Sequence, residues 1–157
     1  MPAGSEAPAP ALPHTFRPLG VRIAVVVLGG MLLAVCLVAW FALPAHVQAE
    51  ISWLERVIVV AFGLALAAIA VGLARCRLVA REDGVTVVNG YRKRSFHWNQ
   101  LVAITLRPGG PWAVIDLSDG TAVSAMAIQS SDGPRAIAQV RAVRALINQQ
   151  SRPSRND

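Results

Sequence analysis

Two long uncharged stretches dominate the first half of the chain. Residues 23–43 contain no Asp, Glu, Lys or Arg. As an α-helix that run extends about 30 Å, the thickness of a bilayer's hydrocarbon core. Its apolar residues fall on every side, so the helix needs an apolar solvent all round it rather than a single core to face. A second uncharged run covers residues 57–74 and stops at Arg75. The pattern predicts transmembrane helices over 21–43 and 57–74, joined by a polar connection over 44–56 that opens at Pro44 and holds His46, Gln48, Glu50, Glu55 and Arg56. Trp40, Phe41 and Trp53 sit where aromatic rings favour a membrane–water boundary. Val47-Gln48-Ala49 has the small-residue texture of a leader cleavage site. The uncharged run before it is longer than a usual leader core, and a long polar segment precedes that run, so the helix is expected to be retained.

Past residue 74 short apolar runs alternate with turn residues, which predicts strands over 77–80, 85–89, 91–98, 101–106, 112–117 and 121–126, the last extending through 128. Glu82-Asp83-Gly84, Asn89-Gly90, Pro108-Gly109-Gly110-Pro111 and Ser118-Asp119-Gly120 supply the turns between them. The period then changes. Asp132 or Gly133 can cap a helix whose first position suits Pro134. Ile137, Val140, Val143 and Ile147 give it one apolar stripe, with Arg135, Arg141 and Arg144 away from it. Residues 1–20, rich in Ala and Pro, lack any period and are expected to be a disordered arm; 151–157 are expected to be a flexible tail. The predicted fold class is a membrane α-helical hairpin followed by a small α+β domain over 75–150. Six or seven antiparallel strands would curl into a partly open barrel, closed by the C-terminal helix. That is the architecture of the pleckstrin-homology (PH) superfold.

The chain resembles the PH-like domain membrane proteins of actinobacteria, the low molecular weight protein antigen 6-like family, over about residues 21–150. The carriers are Asp83-Gly84-Val85, Val88-Asn89-Gly90, Phe96-His97-Trp98-Asn99-Gln100-Leu101, Asp119-Gly120 and the helix after Asp132-Gly133. The family typically has an acidic residue after the Trp, where this chain has Asn99. The resemblance implies a two-helix membrane hairpin ahead of a PH-like domain. It implies no ligand.

Composition and charge refine this picture. The chain is 54% hydrophobic and 15% charged, against about a quarter charged in a soluble domain. The net charge is +6. Its basic residues are scattered rather than gathered in one patch, which suits an anionic membrane surface better than nucleic acid. Arg17 and Arg22 precede the first apolar run; Arg75, Arg77 and Arg81 follow the second; the connection holds one Arg and two Glu. The positive-inside rule then puts both termini and the PH-like domain in the cytoplasm, with the 44–56 loop outside. Cys36 and Cys76 lie at different parts of the anchor and read as reduced thiols.

No catalytic arrangement emerges. His14, His46 and His97 lack metal-ligand spacing, and no phosphate-cradling glycine loop or nucleophile–base pair is present. The expectation is no enzyme, cofactor or metal. Arg92, Lys93 and Arg94 are the sharpest binding candidates, facing one anionic lipid head group with help from Arg77 and Arg81; their plainer use is a solvated strand end. Trp98 and Trp112 read as core or rim residues, or as the wall of a peptide groove between a sheet edge and the closing helix. Gly30, Ala34, Gly63, Ala67 and Gly72 are small residues suited to close helix packing within the hairpin, or between protomers of a homo-oligomer. The leading expectation is a membrane-anchored interaction module holding a protein partner. A lipid-surface sensor and an accessory subunit acting through its hairpin are the alternatives.

Overall fold

The computed structural model describes residues 9–150; the disorder expected of residues 1–8 and the flexible tail expected of 151–157 lie outside them. The chain forms two compact units. One is Gly20–Ala74, and the other joins the segment through Leu19 to the segment from Arg75 onward.

The first unit is helical: α1 (Leu19–Ala42), α2 (Ala45–Glu50) and α3 (Trp53–Ala74). Both α1 and α3 are long and apolar enough to cross a membrane, with mean hydropathies of 2.7 and 2.8. No residue of α1 is buried. The predicted connection over 44–56 is more ordered than its polarity suggested. Pro44 precedes α2, and the Gln48 side-chain amide donates to the Trp40 and Leu43 carbonyls at 3.0 and 3.1 Å. These are end-of-helix carbonyls that α1 itself cannot satisfy. Ser52 and Glu55 form a reciprocal cap at the start of α3: the Glu55 carboxylate accepts the Ser52 N–H at 2.8 Å, and the Ser52 hydroxyl accepts the Glu55 N–H at 3.3 Å. Arg56 donates to the Gln48 carbonyl at 2.7 Å and lies over the Trp40 ring. A Cβ added at Gly30 or Gly63 would meet nothing within 4 Å; Ala34 and Ala67 are exposed, and only Gly72 of the five is buried.

The second unit contains β1 (His14–Phe16), β2 (Arg77–Arg81), β3 (Gly84–Asn89), β4 (Arg92–His97), β5 (Leu101–Thr105), β6 (Trp112–Leu117), β7 (Ala122–Gln129) and the helix α4 (Pro134–Gln150). They make a four-stranded sheet in the order β1-β2-β3-β4 and a three-stranded sheet in the order β5-β6-β7, all antiparallel. The sheets and α4 enclose one core, in which Leu78, Ile104, Ile115 and Leu146 are almost fully buried. Each such side chain contributes about 2 kcal/mol of transfer free energy.

Two expectations are corrected here. The arm of residues 1–20 is not disordered throughout, because His14–Phe16 pairs with β2 through His14↔Ala80, Thr15↔Val79 and Phe16↔Leu78. Phe16 turns inward to the core and is 3% exposed. The stripe of α4 is Ala136, Val140, Val143, Leu146 and Ile147, while Ile137 is exposed. Of the two cap candidates, Gly133 directly precedes α4 and its carbonyl accepts the Ile137 N–H at 3.3 Å, while the Asp132 carboxylate accepts the Leu19 N–H at 3.1 Å. Two glycines answer local demands. Gly84 lies where β4 passes so close that a Cβ would overlap the Phe96 carbonyl oxygen. Gly90 takes a positive φ of 62° at the first position of the Gly90–Tyr91 loop between paired Asn89 and Arg92, the place a tight hairpin loop wants glycine.

Candidate functional site

The cations predicted to act together are separated by strand alternation. Register pairs Asn89 with Arg92, Val88 with Lys93 and Val87 with Arg94. Side chains directly opposite share a face, and neighbours along a strand point to opposite faces. Val87 belongs to the core, so Arg92 and Arg94 stand on the inner face of the four-stranded sheet. Lys93 stands on the outer face, in one row with Val88 and Arg77. Arg81 shares that outer face, at the far end of β2. The five cations therefore form an inner pair, Arg92 and Arg94, and an outer set, Arg77, Arg81 and Lys93.

The inner pair lines a cleft of about 250 Å³ at the open flank of the domain, with Val87, Asn89, Ala122, Val123 and Ser124. One wall is β3 and β4; the other is the first half of β7. No acidic side chain lines it. Each guanidinium stays charged at any physiological pH and offers a planar fork of donors. Two such forks can hold a carboxylate or a phosphoryl oxygen.

Asn89 shapes this cleft, although its pairing with Gly90 read as a turn. Its side-chain amide donates to the Ser124 carbonyl at 2.5 Å, and its carboxamide oxygen accepts the Met126 N–H at 3.1 Å. One side chain thus takes the place of a neighbouring strand at that point of β7 and ties the two sheets together. The signal available in sequence was loop length: with Gly90–Tyr91 as the two-residue loop, Asn89 must belong to β3. An acidic residue in the turn between β6 and β7 is also occupied. Asp119 accepts the Thr121 hydroxyl at 2.7 Å and the Thr121 N–H at 2.8 Å. These two bonds, the hydroxyl's first, hold its carboxyl below the usual range.

The two tryptophans are not part of this site. Trp98 is 6% exposed, and its indole N–H is shared between the Arg81 and Glu82 carbonyls at 2.9 and 3.0 Å. Gln100 accepts the His97 N–H at 2.9 Å, and the His97 ring is 3.2 Å from the Asp83 carbonyl oxygen. The Phe96–Leu101 motif is therefore a clasp on the β2–β3 hairpin, and the exposed Asn99 stands outside it. Trp112 is half-buried and pairs with Gln129, at the end of β7 opposite the cleft. A second hollow of about 290 Å³ lies between β1 and α4, lined by His14, Thr15, Phe16, Arg135, Ala138, Gln139 and Ala142. The groove expected between a sheet edge and the closing helix is thus bounded by the chain's own β1, which occupies the edge of β2.

The antiparallel strands β1 to β7 closed by α4 make a PH-like fold. Residues 75–146, just under half of the chain, match the bacterial PH domain family, a segment holding β2 to β7 and most of α4. Over 93 residues the chain is 36% identical to uncharacterized protein Rv1417 of Mycobacterium tuberculosis, and equally to uncharacterized protein Mb1452 of Mycobacterium bovis. That match covers 59% of this chain, and the chain spans about 60% of the length of these curated relatives. No solved structure matches the chain.

Proposed function

We propose that this chain is a membrane-anchored, non-catalytic interaction module. Its PH-like domain would hold a protein partner at the inner face of the cell membrane. One observation carries the reading. β1 and β2 are neighbours in one sheet although α1, α2 and α3 lie between them in sequence. Strands that pair share one side of any membrane, so α1 and α3 together must make an even number of crossings, as a two-helix hairpin does. Only Arg17-Pro18 separates β1 from α1, and only Arg75-Cys76 separates α3 from β2. Two residues reach about 7 Å at most, so the domain is tethered short at two points. Arg17, Arg22, Arg75, Arg77 and Arg81 beside those points favour the cytoplasmic side. A tether of this kind suits a module whose task is to be present at the surface with one face held for a partner.

Cysteine accessibility tests the reading. In a Cys36→Ser, Cys76→Ala background, an impermeant maleimide on intact cells should label Ala49→Cys. It should reach Thr15→Cys and Ser95→Cys only after permeabilisation. A photo-crosslinking residue at position 95 should then give a discrete adduct in native membranes. Labelling of Ser95→Cys from outside, or recovery of the chain in the supernatant after membranes are sedimented, overturns the anchoring. Absence of any adduct overturns the partner.

The outer face favours a second reading. Arg77, Arg81 and Lys93 present positive charge on one side of the sheet, and each charge near an anionic surface is worth about 1 kcal/mol. Under that reading the domain senses anionic lipid, and reversing these three charges would abolish its attraction to phosphatidylglycerol vesicles.

A further inference from the structure

We propose that the free edge of β4 is a docking strand for an acidic, extended segment of the partner protein, whose carboxylates seat on Arg92 and Arg94. This rests on the interaction-module reading and names the partner's chemistry. β4 is the last strand of its sheet, with a neighbour on one side only. Asn89 and Arg92 close a two-residue loop, so they exchange backbone hydrogen bonds, and the ladder then alternates. Arg92, Arg94 and Phe96 therefore bond to β3, while Lys93 and Ser95 turn their N–H and C=O groups outward. An incoming strand finds its backbone partners there.

Side-chain geometry selects the incoming sequence. Arg92 and Arg94 are two residues apart on one face, about 7 Å along the strand. A strand laid beside β4 presents every second side chain on that same face at the same spacing. Acidic residues at alternate positions thus come into register with the two guanidinia. The cleft of about 250 Å³ behind them gives such side chains room. The same two charges turn uncharged strands away, because an inward cation left unpaired beside a docked apolar strand is penalised. A lipid head group could satisfy the guanidinia but has no backbone to pair with Lys93 and Ser95, so the edge as a whole favours a peptide.

The test uses the full chain in phosphatidylcholine nanodiscs and a fluorescein-labelled Glu-Val-Glu-Val-Glu peptide, read by fluorescence polarisation. Its Gln-Val-Gln-Val-Gln twin should bind at least about tenfold more weakly. The double variant Arg92→Glu, Arg94→Glu should lose the acidic peptide and gain a Lys-Val-Lys-Val-Lys twin, an exchange a misfolded domain would not show. Lys93→Pro keeps both arginines and removes one outward N–H; it should also weaken the acidic peptide. Arg77→Glu with Arg81→Glu, on the opposite face, should leave it unchanged. Equal binding of the Gln twin overturns the proposal, as does an unaffected Lys93→Pro. Binding to phosphatidylglycerol nanodiscs that depends on Arg92 and Arg94, with none to the acidic peptide, overturns it in favour of lipid. If the peptide fails while the position-95 adduct persists in native membranes, the docking chemistry falls and the interaction module stands; if both fail, both fall.

Discussion

The helical and β-rich units use the same apolar residue types in opposite ways. Along α1 no side chain is buried: Val26, Leu33 and Phe41 are 73%, 61% and 77% exposed. In the PH-like domain Leu78, Ile104 and Ile115 are fully buried. A Leu in water and a Leu in a packed interior differ by about 2 kcal/mol. Both helices of such residues are long and apolar enough to cross a membrane. The β unit makes its own apolar interior, whereas the helices suit one supplied by lipid.

The largest effects break this contrast directly. Ile104→Ala should destabilise the β unit by about 2–5 kcal/mol, the range for a large aliphatic truncated in a packed core. Leu33→Ala should leave that unit's unfolding midpoint unchanged, because Leu33 is exposed and belongs to the other unit. Urea titration of both variants in detergent, followed by far-UV circular dichroism, measures the difference. Equal losses would mean that the two units unfold as one and that their apolar residues share a core.

The same contrast explains what sequence could reveal. The two helices were legible because a run of some twenty uncharged residues is a long signal; even so, α3 begins at Trp53 rather than at 57. The extra turn is held by the Ser52–Glu55 cap, a local bond inside a segment whose polarity read as loop. The strands after residue 76 were legible from alternation and turn residues. β1 was not, because three residues are too few to show a period, and what orders His14–Phe16 is an edge of β2 some sixty residues away. Ile137 was assigned to the buried stripe on helical spacing. The face α4 presents is set by the sheet beneath it, which accepts Ala136 and Leu146 instead. The division of Arg92 and Arg94 from Lys93 was available from strand alternation alone. What sequence could not show is that the inner face of β4 overhangs the first half of β7, which turns two inward arginines into the wall of a cleft.

A pair of tryptophans sharpens the comparison at lower energy. Trp53 is 75% exposed in the helical unit and Trp98 is 6% exposed in the β unit. Trp98→Phe would remove the donor that the Arg81 and Glu82 carbonyls share. The β unit should lose about 0.5–1.5 kcal/mol for that bond, with a further loss for the smaller ring. Trp53→Phe should lose nothing in the same measurement. Moving from detergent into bilayers should shift the emission of Trp53 to shorter wavelength and leave that of Trp98 in place. If Trp98 moved instead, the buried clasp on the β2–β3 hairpin would be wrong.

The smallest effect lies at the turn between β6 and β7, where a charge is held entirely at the surface. Asp119 is kept below the usual carboxylate range by the Thr121 hydroxyl and then by the Thr121 N–H. A group whose acidity is raised by folding stabilises the fold while it is ionised. Its contribution is present above the unfolded-state value and is lost as pH falls through the lower folded-state value. Thr121→Val removes the hydroxyl and keeps the N–H, so it should lower the melting temperature of the β unit slightly near neutral pH. The gap from the parent should narrow as the pH drops below the ordinary carboxylate range, and close once Asp119 is protonated in both proteins. Asp119→Asn should show the same convergence. A gap that stayed constant from neutral to acid would assign the effect of Thr121 to packing at the turn. Because Asp119 is fully exposed, solvent screens the interaction and raised salt should shrink the gap. The buried contacts of Ile104 and Trp98 should not respond to salt in this way, since their stabilisation does not depend on a charge that water can reach.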